Sequence, residues 1–208
     1  MLFLLFSDPL AFFVLFFGLI VSLTIHEFAH AWVADKLGDP TPRYQGRVTL
    51  DPRAHLDPLG TVALLLTRLG WGKPVQFDPY NLKNPLRDTA MIALAGPASN
   101  IVMASSLAFI LRSGIIPLEW VAVGVTQILI INVVLAIFNL VPVYPLDGSK
   151  VLLALLPRET AAEYDQLMHR YGLFILLLLI FPWAGGISPV SQLIQPVINW
   201  VVSLLLSI

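Results

Sequence analysis

The sequence predicts an all-α polytopic membrane protein with about five to six transmembrane helices and a small membrane-re-entrant β-hairpin after the first helix. Of its 208 residues, 57% are hydrophobic and 12% are charged, whereas a soluble globular domain has about 25% charged residues. Several apolar stretches approach the roughly 20 residues that a helix needs to cross a bilayer. These stretches are residues 9–36, 88–111, 118–140, 172–183 and 187–206.

The first apolar stretch is predicted to be a retained membrane helix and not a cleaved signal peptide. Its beginning lacks the basic segment with which a signal peptide starts. Residues 10–25 carry no charged side chain and lead directly into His26-Glu27-Phe28-Ala29-His30. We therefore expect this helix to carry three ionisable side chains at membrane depth, where such groups are costly unless they have a partner or line a cavity.

The positive charges predict the topology. Residues 59–69 are too few to cross a bilayer comfortably as a helix. If this segment re-enters on one face, eleven of the 12 Lys and Arg residues lie on one side and only Arg112 lies opposite. The positive-inside rule therefore favours a re-entrant segment, an external N-terminus and a cytoplasmic end for the first helix. The eleven are Lys36, Arg43, Arg47, Arg53, Arg68, Lys73, Lys83, Arg87, Lys150, Arg158 and Arg170.

Two short segments are candidate strands of the hairpin. Residues 43–50 alternate between polar and apolar side chains, and residues 74–77 could form a second strand. Non-helical backbone at membrane depth has to be covered by protein or line a wet cavity. We therefore expect the hairpin to lie against the active site.

The H-E-x-x-H motif predicts a zinc site. His26 and His30 are four residues apart, so both imidazoles project from one face of a helix and can bind one metal ion. Glu27 lies about 100° around the helix from His26, close enough to act on a water molecule without being a ligand. A catalytic zinc has three protein ligands and an open position. The sequence contains no cysteine, so the third ligand has to be a histidine or a carboxylate.

The candidates for the third ligand are His55, His169 and Asp147, of which Asp147 is the best acidic candidate. Pro142 and Pro145 are expected to break the third long helix and to deliver Asp147 at membrane depth. By itself, Asp147 would be interpreted as a helix N-cap or turn residue. His55 is more simply a loop residue, and His169 an interfacial one.

These motifs together resemble those of the site-2 protease family of intramembrane zinc metalloproteases. The chain combines the H-E-x-x-H motif on an early helix with N-x-x-P-x-x-P-L-D-G at residues 139–148. It is similar to the compact bacterial branch, which has no PDZ or CBS domain. Further similar segments are residues 46–50, 55–61, 70–75, 84–85 and 95–100.

The resemblance implies an enzyme with one zinc ion per chain, bound by His26, His30 and Asp147, with Glu27 as catalytic acid and base. It also implies the hairpin after the first helix. The implied reaction is hydrolysis of a peptide bond in transmembrane-helix substrates near the cytoplasmic side, as in regulated intramembrane proteolysis. We expect a single domain over residues 1–208, with a catalytic core at about 9–156 and C-terminal transmembrane segments at about 172–207. The expected location is a bacterial plasma membrane, with the active site opening toward the cytoplasm.

Two asparagines allow alternative interpretations. Asn139 could orient the substrate backbone or stabilise an oxyanion, which makes it a candidate catalytic residue, or it could form a hydrogen bond between helices. Asn100 follows a small-residue segment, 95–99, that is typical of close helix packing, but it could also line the site.

Other function classes fit less well. The net charge of −1 gives no indication of a nucleic-acid partner. A non-catalytic metal-binding scaffold would not need Glu27. A transporter is expected to have charges in several helices or broken helices in two related halves. The expected partners are therefore transmembrane protein substrates and the lipid bilayer.

Overall fold

The structure is a computed structural model that describes residues 1–67, 70–183 and 186–207, and its regular elements are helices. Short 3-10 turns occur at Pro52–Ala54 and Pro79–Asn81. The α-helices are α1 (Leu2–Ser7), α2 (Pro9–Leu37), α3 (Thr41–Tyr44), α4 (Pro58–Thr67), α5 (Pro85–Arg112), α6 (Glu119–Asn139), α7 (Asp147–Leu155), α8 (Arg158–Ile180) and α9 (Pro189–Leu206).

Four helices of the described residues, α2, α5, α6 and α9, are long and apolar enough to cross a membrane. This agrees with an all-α polytopic membrane protein. The prediction of five to six spans was too high: it counted residues 172–183 as a further span and treated residues 59–69 as a re-entrant segment. Helix α4 has only 10 residues, about 15 Å of helix, and α8 has a charged N-terminal half that precedes its apolar residues.

Helices α2, α5 and α6 pack against one another and form the centre of the molecule. Small residues allow this close packing: a Cβ atom at Gly18 of α2 would lie 2.8 Å from a side-chain carbon of Ile128 on α6. Helix α9 packs on α5 and α6, and α8 packs on α7 and α9, around an apolar cluster. Its buried members are Ala104, Ala108, Leu129, Val133, Val141, Val143, Leu146, Met168, Leu176, Val190, Ile194 and Ile198.

The predicted β-hairpin is wrong, because the described residues contain no strand and only an isolated antiparallel bridge between Leu56 and Gly72. Across residues 43–50 the chain completes α3 and then turns at Gly46, whose φ is +66°. Residues 74–77 have no regular secondary structure.

Side chains occupy the backbone groups that a hairpin ladder would use. The guanidinium of Arg47 donates a hydrogen bond to the carbonyl of Lys73. The N–H of Val75 donates to the carboxylate of Glu27, 3.2 Å away. Because these groups are satisfied by side chains, the alternating pattern of residues 43–50 does not lead to strand pairing.

A short helical excursion replaces the hairpin. Helix α4 lines a pocket together with Leu19, Ile20 and Leu23 of α2, and residues 70–71 lie beside the start of α4. A Cβ atom at Gly60 would lie 2.1 Å from the carbonyl oxygen of Trp71, so only glycine allows this approach. Two residues of the predicted re-entrant segment, Arg68 and Leu69, lie outside the described residues.

Asp39 connects the end of α2 to the segment that precedes α5. Gly38 ends α2 with a φ of +110°, and the carboxylate of Asp39 is fully buried. It accepts hydrogen bonds from the N–H and hydroxyl of Thr41 at 3.1 and 2.6 Å, from the N–H of Asp78 at 2.7 Å and from the amide of Asn81 at 2.8 Å. Burial alone would raise the pKa of Asp39, but these hydrogen bonds outweigh it and hold the pKa below its ordinary value.

We predict that Asp39→Asn lowers the free energy of unfolding at pH 7 by about 1–3 kcal/mol, because the new NH₂ group faces one of the donors. The pKa of Asp39 is lowered in the folded state. Its stabilising contribution is therefore present above the ordinary carboxyl pKa of about 3.9 and is lost as the pH falls through the lower folded value. Denaturant unfolding in detergent between pH 7 and pH 3 measures both effects.

Asp165→Asn is the matched control, because the side chain of Asp165 is about half exposed. We expect it to change stability by less than about 0.5 kcal/mol. Equal losses in the two variants would contradict the role of Asp39.

Candidate metal centre and active site

Helix α2 presents two histidines on one face. His26 and His30 are both buried, and their Nε2 atoms lie 3.0 Å apart. The i, i+4 spacing places the two rings one turn apart, and the rings meet edge to face with centroids 4.6 Å apart. The sequence predicted this pairing from the motif alone.

Asp147 reaches the same point from the first turn of α7. Its Oδ2 atom lies 3.2 Å from the Nε2 atoms of both His26 and His30. Helix α6 ends at Asn139, and a tight loop then leads to Asp147. A Cβ atom at Gly148 would lie 2.2 Å from the carbonyl oxygen of Leu140. The loop can therefore fold back against the end of α6 only with glycine after Asp147.

The hydrogen bonds made by the Nδ1 atoms determine which nitrogen of each imidazole carries the hydrogen and which has a free lone pair. The Nδ1 of His30 lies 2.6 Å from the carbonyl oxygen of Ile92, and the Nδ1 of His26 lies 2.6 Å from the Oδ1 of Asn100. Because these oxygens are acceptors, both Nδ1 atoms carry hydrogens, and in neutral rings the Nε2 atoms carry lone pairs.

The three donor atoms fit a divalent metal ion. Two imidazole lone pairs and one carboxylate oxygen converge within 4.8 Å of one another. Such a group of mutually repelling acceptors is stabilised by a cation, and two nitrogens with one oxygen are a ligand set that zinc accepts in catalytic sites. His26, His30 and Asp147 could therefore hold one zinc ion.

Gly96 of α5 allows the two imidazoles to lie against the neighbouring helix. A Cβ atom at Gly96 would lie 2.4 Å from the Nε2 of His30 and 2.6 Å from the Nε2 of His26. Any side chain at this position would occupy the space where the donor atoms converge.

Glu27 faces the same cleft as the metal-binding group. Its carboxylate accepts the hydrogen bond from the N–H of Val75, and the Nη2 atom of Arg47 lies 3.9 Å from its Oε2 atom. Arg47 is 3% exposed, so its charge acts on Glu27 with little screening by solvent.

Asn139, the last residue of α6, also lines this cleft. Its amide donates to the carbonyl of Leu135 on its own helix at 2.9 Å. The cleft has a volume of about 100 Å³. Its walls are formed by His26, Glu27, His30, Pro74, Val75, Phe77, Ile92, Asn139, Pro145, Asp147 and Lys150.

The other candidate residues lie elsewhere. His55 is fully buried and its Nε2 atom contacts the carbonyl of Thr49 at 2.8 Å, away from the metal-binding group. His169 is exposed, stacks on Tyr144 and pairs with Asp165. Asn100 does not line the cleft but lies behind His26.

Several residues at the site were not singled out by the sequence. Arg47 was noted as a positive charge and as part of residues 43–50 but was given no role at the site, and Ser22 and Asn132 were not considered. A polar side chain within an apolar span is itself a signal, because it requires a partner. The identity of that partner depends on which helices are neighbours.

Comparisons with known proteins show which family the chain resembles. Residues 115–179 match the model of peptidase family M50. The chain is 38% identical over 189 residues to YwhC of Bacillus subtilis, a proposed zinc metalloprotease, covering 87% of this chain and 84% of YwhC. It is 31% identical over 176 residues to Rip2 of Mycobacterium tuberculosis, also a proposed zinc metalloprotease, covering 81% of this chain and 67% of Rip2. No solved structure matches the chain significantly.

We predict that Gly96→Ala removes bound metal, because the added methyl group overlaps both Nε2 atoms. Zinc analysis of the purified protein is expected to show a fall from about one ion per chain to a small fraction of that value. Gly124→Ala is the matched control, since a Cβ atom at Gly124 would make an ordinary contact of 3.4 Å with Val14. Full zinc content in a folded Gly96→Ala variant would contradict the placement of the site.

Proposed function

Since the chain belongs to peptidase family M50, the site-2 protease family, we propose that it is a zinc metalloprotease that cleaves transmembrane helices within the bilayer. The observation that carries this proposal is the convergence of His26, His30 and Asp147 beside the carboxylate of Glu27. Both features occupy one cleft between helices that are apolar enough to span a membrane.

The proposed ligands of one zinc ion are His26, His30 and Asp147. When bound, zinc makes water a stronger nucleophile at neutral pH and polarises the substrate carbonyl. Two neutral imidazoles and one carboxylate leave the centre with a net positive charge. The protein positions these ligands through the contacts of His26 with Asn100 and of His30 with Ile92.

Glu27 is proposed as the general base and acid. The N–H of Val75 and the guanidinium of Arg47 hold its carboxylate at the cleft. In this position, the carboxylate can take a proton from the attacking water. It can then donate that proton to the nitrogen of the leaving amine as the peptide bond breaks.

Asn139 is proposed to contact the substrate. It stands at the edge of the cleft where α6 ends, next to the loop that carries Asp147. From this position its amide group could bind the substrate backbone or stabilise negative charge on the carbonyl oxygen.

The proposed cleavage site lies toward the cytoplasmic side, in a bacterial plasma membrane with the N-terminus of the enzyme outside. His26 precedes the C-terminal end of α2 by eleven residues, roughly 16 Å. The lysines and arginines near this end indicate the cytoplasmic face. We further propose that residues 1–208 act as one domain, with the catalytic core at about 9–156, in regulated intramembrane proteolysis.

We predict that Glu27→Gln retains zinc but lowers the rate of cleavage of a model transmembrane substrate by at least about 100-fold, because proton transfer is lost. Asp147→Asn is expected to lose zinc as well, because a carboxylate ligand is replaced by a neutral amide. Zinc content and cleavage in liposomes are measured together.

Glu163→Gln and Asp165→Asn on α8 are matched controls for the two changes and are expected to behave as wild type. If Glu27→Gln still cleaves, or if folded wild-type protein has no affinity for zinc, the proposed mechanism is incorrect.

We also predict that substrates are cleaved faster when they carry helix-weakening residues near the cleaved bond. A transmembrane helix hides its carbonyl groups in i to i−4 hydrogen bonds, so the substrate has to unwind before attack. Glycine or proline beside the bond lowers the cost of unwinding by about 1–3 kcal/mol relative to alanine. A substrate series with leucine, alanine, glycine and proline at one position measures this effect, and equal rates would exclude it.

A further inference from the structure

We propose that Asn100, Asn132 and Ser22 are positioning residues that orient His26 for metal binding through one continuous chain of hydrogen bonds. This inference rests on the proposed role of His26 as a zinc ligand. The three side chains are fully buried and come from α5, α6 and α2, so the chain connects all three central helices.

Asn100 makes the contact with His26. Its Oδ1 atom lies 2.6 Å from the Nδ1 of His26. Its NH₂ group donates to the Oδ1 of Asn132 at 2.9 Å and to the carbonyl of Ser22 at 3.3 Å. A reversed amide would place its oxygen against two other oxygens. The oxygen of Asn100 therefore has to face His26.

Asn132 holds the amide of Asn100 in this orientation. The NH₂ group of Asn132 donates to the hydroxyl of Ser22 and to the carbonyl of Ile128, both at 2.8 Å. Its Oδ1 atom is therefore the acceptor that faces Asn100.

Ser22 completes the chain. Its hydroxyl donates to the carbonyl of Gly18 at 2.7 Å, so its oxygen is left to accept from Asn132. A backbone carbonyl can only accept a hydrogen bond. Because this series of hydrogen bonds ends on the carbonyl of Gly18, the direction of each hydrogen bond between Gly18 and His26 is determined.

The consequence for His26 is a single usable tautomer. Its Nδ1 atom has to carry the hydrogen, so its Nε2 atom presents a lone pair to the metal. His30 reaches the same state through the backbone carbonyl of Ile92 and needs no side-chain partner. His26 is therefore the ligand whose orientation depends on replaceable side chains.

The same hydrogen bonds could simply hold three helices together, and metal affinity distinguishes the two roles. If the hydrogen bonds only held the helices together, their removal would lower the free energy of unfolding but would leave the dissociation constant for zinc unchanged. Outer partners of metal-ligating histidines typically change metal affinity by about 10–100-fold when they are mutated. Asn132 provides the sharpest test, because its hydrogen bonds join Asn100, Ser22 and Ile128 and not His26 itself.

The experiment measures the zinc dissociation constant of the full-length chain in detergent by competition with a chromophoric chelator. We expect Asn132→Leu to weaken zinc binding by about 10-fold, the lower end of the range for direct partners of ligating histidines, and Ser22→Ala to weaken it by a smaller factor. Asn199→Leu on α9 makes the same change at an exposed position and is expected to leave the affinity unchanged.

The visible spectrum of the Co²⁺-loaded protein provides a second readout, since it reports ligand geometry directly. Asn132→Leu is expected to alter this spectrum, and Asn199→Leu is not. Wild-type affinity and spectrum in Asn132→Leu would overturn the inference while the proposed zinc site stands. If Asn132→Leu does not fold, unchanged zinc affinity in Ser22→Ala overturns it. Failure of wild type to bind zinc would instead refute the proposed function.

Discussion

The close contact between α2 and α5 is the constraint on which the rest of the site depends. Helix α5 presents Ile92, Gly96 and Asn100 at intervals of four residues, and so on one face. The carbonyl of Ile92 contacts His30, the bare backbone of Gly96 gives both imidazoles room, and the amide of Asn100 contacts His26. The two helices cannot separate without losing all three contacts at once.

Helix α2 meets this face with a matching row. Ser22, His26 and His30 are also four residues apart, and they contact the α5 row in reverse order, because the two helices run antiparallel here. In the apolar surroundings of a membrane span, a polar group without a partner is costly. The two rows satisfy each other, with Asn132 of α6 as the third participant, so the polar atoms needed for chemistry also determine how the helices are aligned.

In the described residues between α2 and α5, side chains and not a sheet hold the segment in place. Asp39 binds its two ends, and Arg47 holds the carbonyl of Lys73. The N–H of Val75 is bound by Glu27. Pro74, Val75 and Phe77 of this segment form one wall of the cleft. The segment also brings a buried arginine beside Glu27, so the loop and the site are connected electrostatically.

Prediction from sequence succeeded where the signal is local. The H-E-x-x-H spacing puts two imidazoles on one helical face, the apolar stretches indicate helices, and the prolines after Asn139 end α6 and precede Asp147. The β-hairpin was wrong because alternation along residues 43–50 cannot reveal that Arg47 and Glu27 would take the backbone groups of residues 73 and 75.

The sequence by itself therefore determined the membrane class, the four long apolar helices α2, α5, α6 and α9 and the ligand types, because periodicity and hydrophobicity are properties of neighbouring residues. The tertiary structure decided that Asp147 meets the two histidines, that Gly96 leaves them space and that Asn100 and Asn132 lie behind them. These contacts join residues separated by 32 to 121 positions. Their formation depends on which helix faces pack together, and no local pattern encodes that choice.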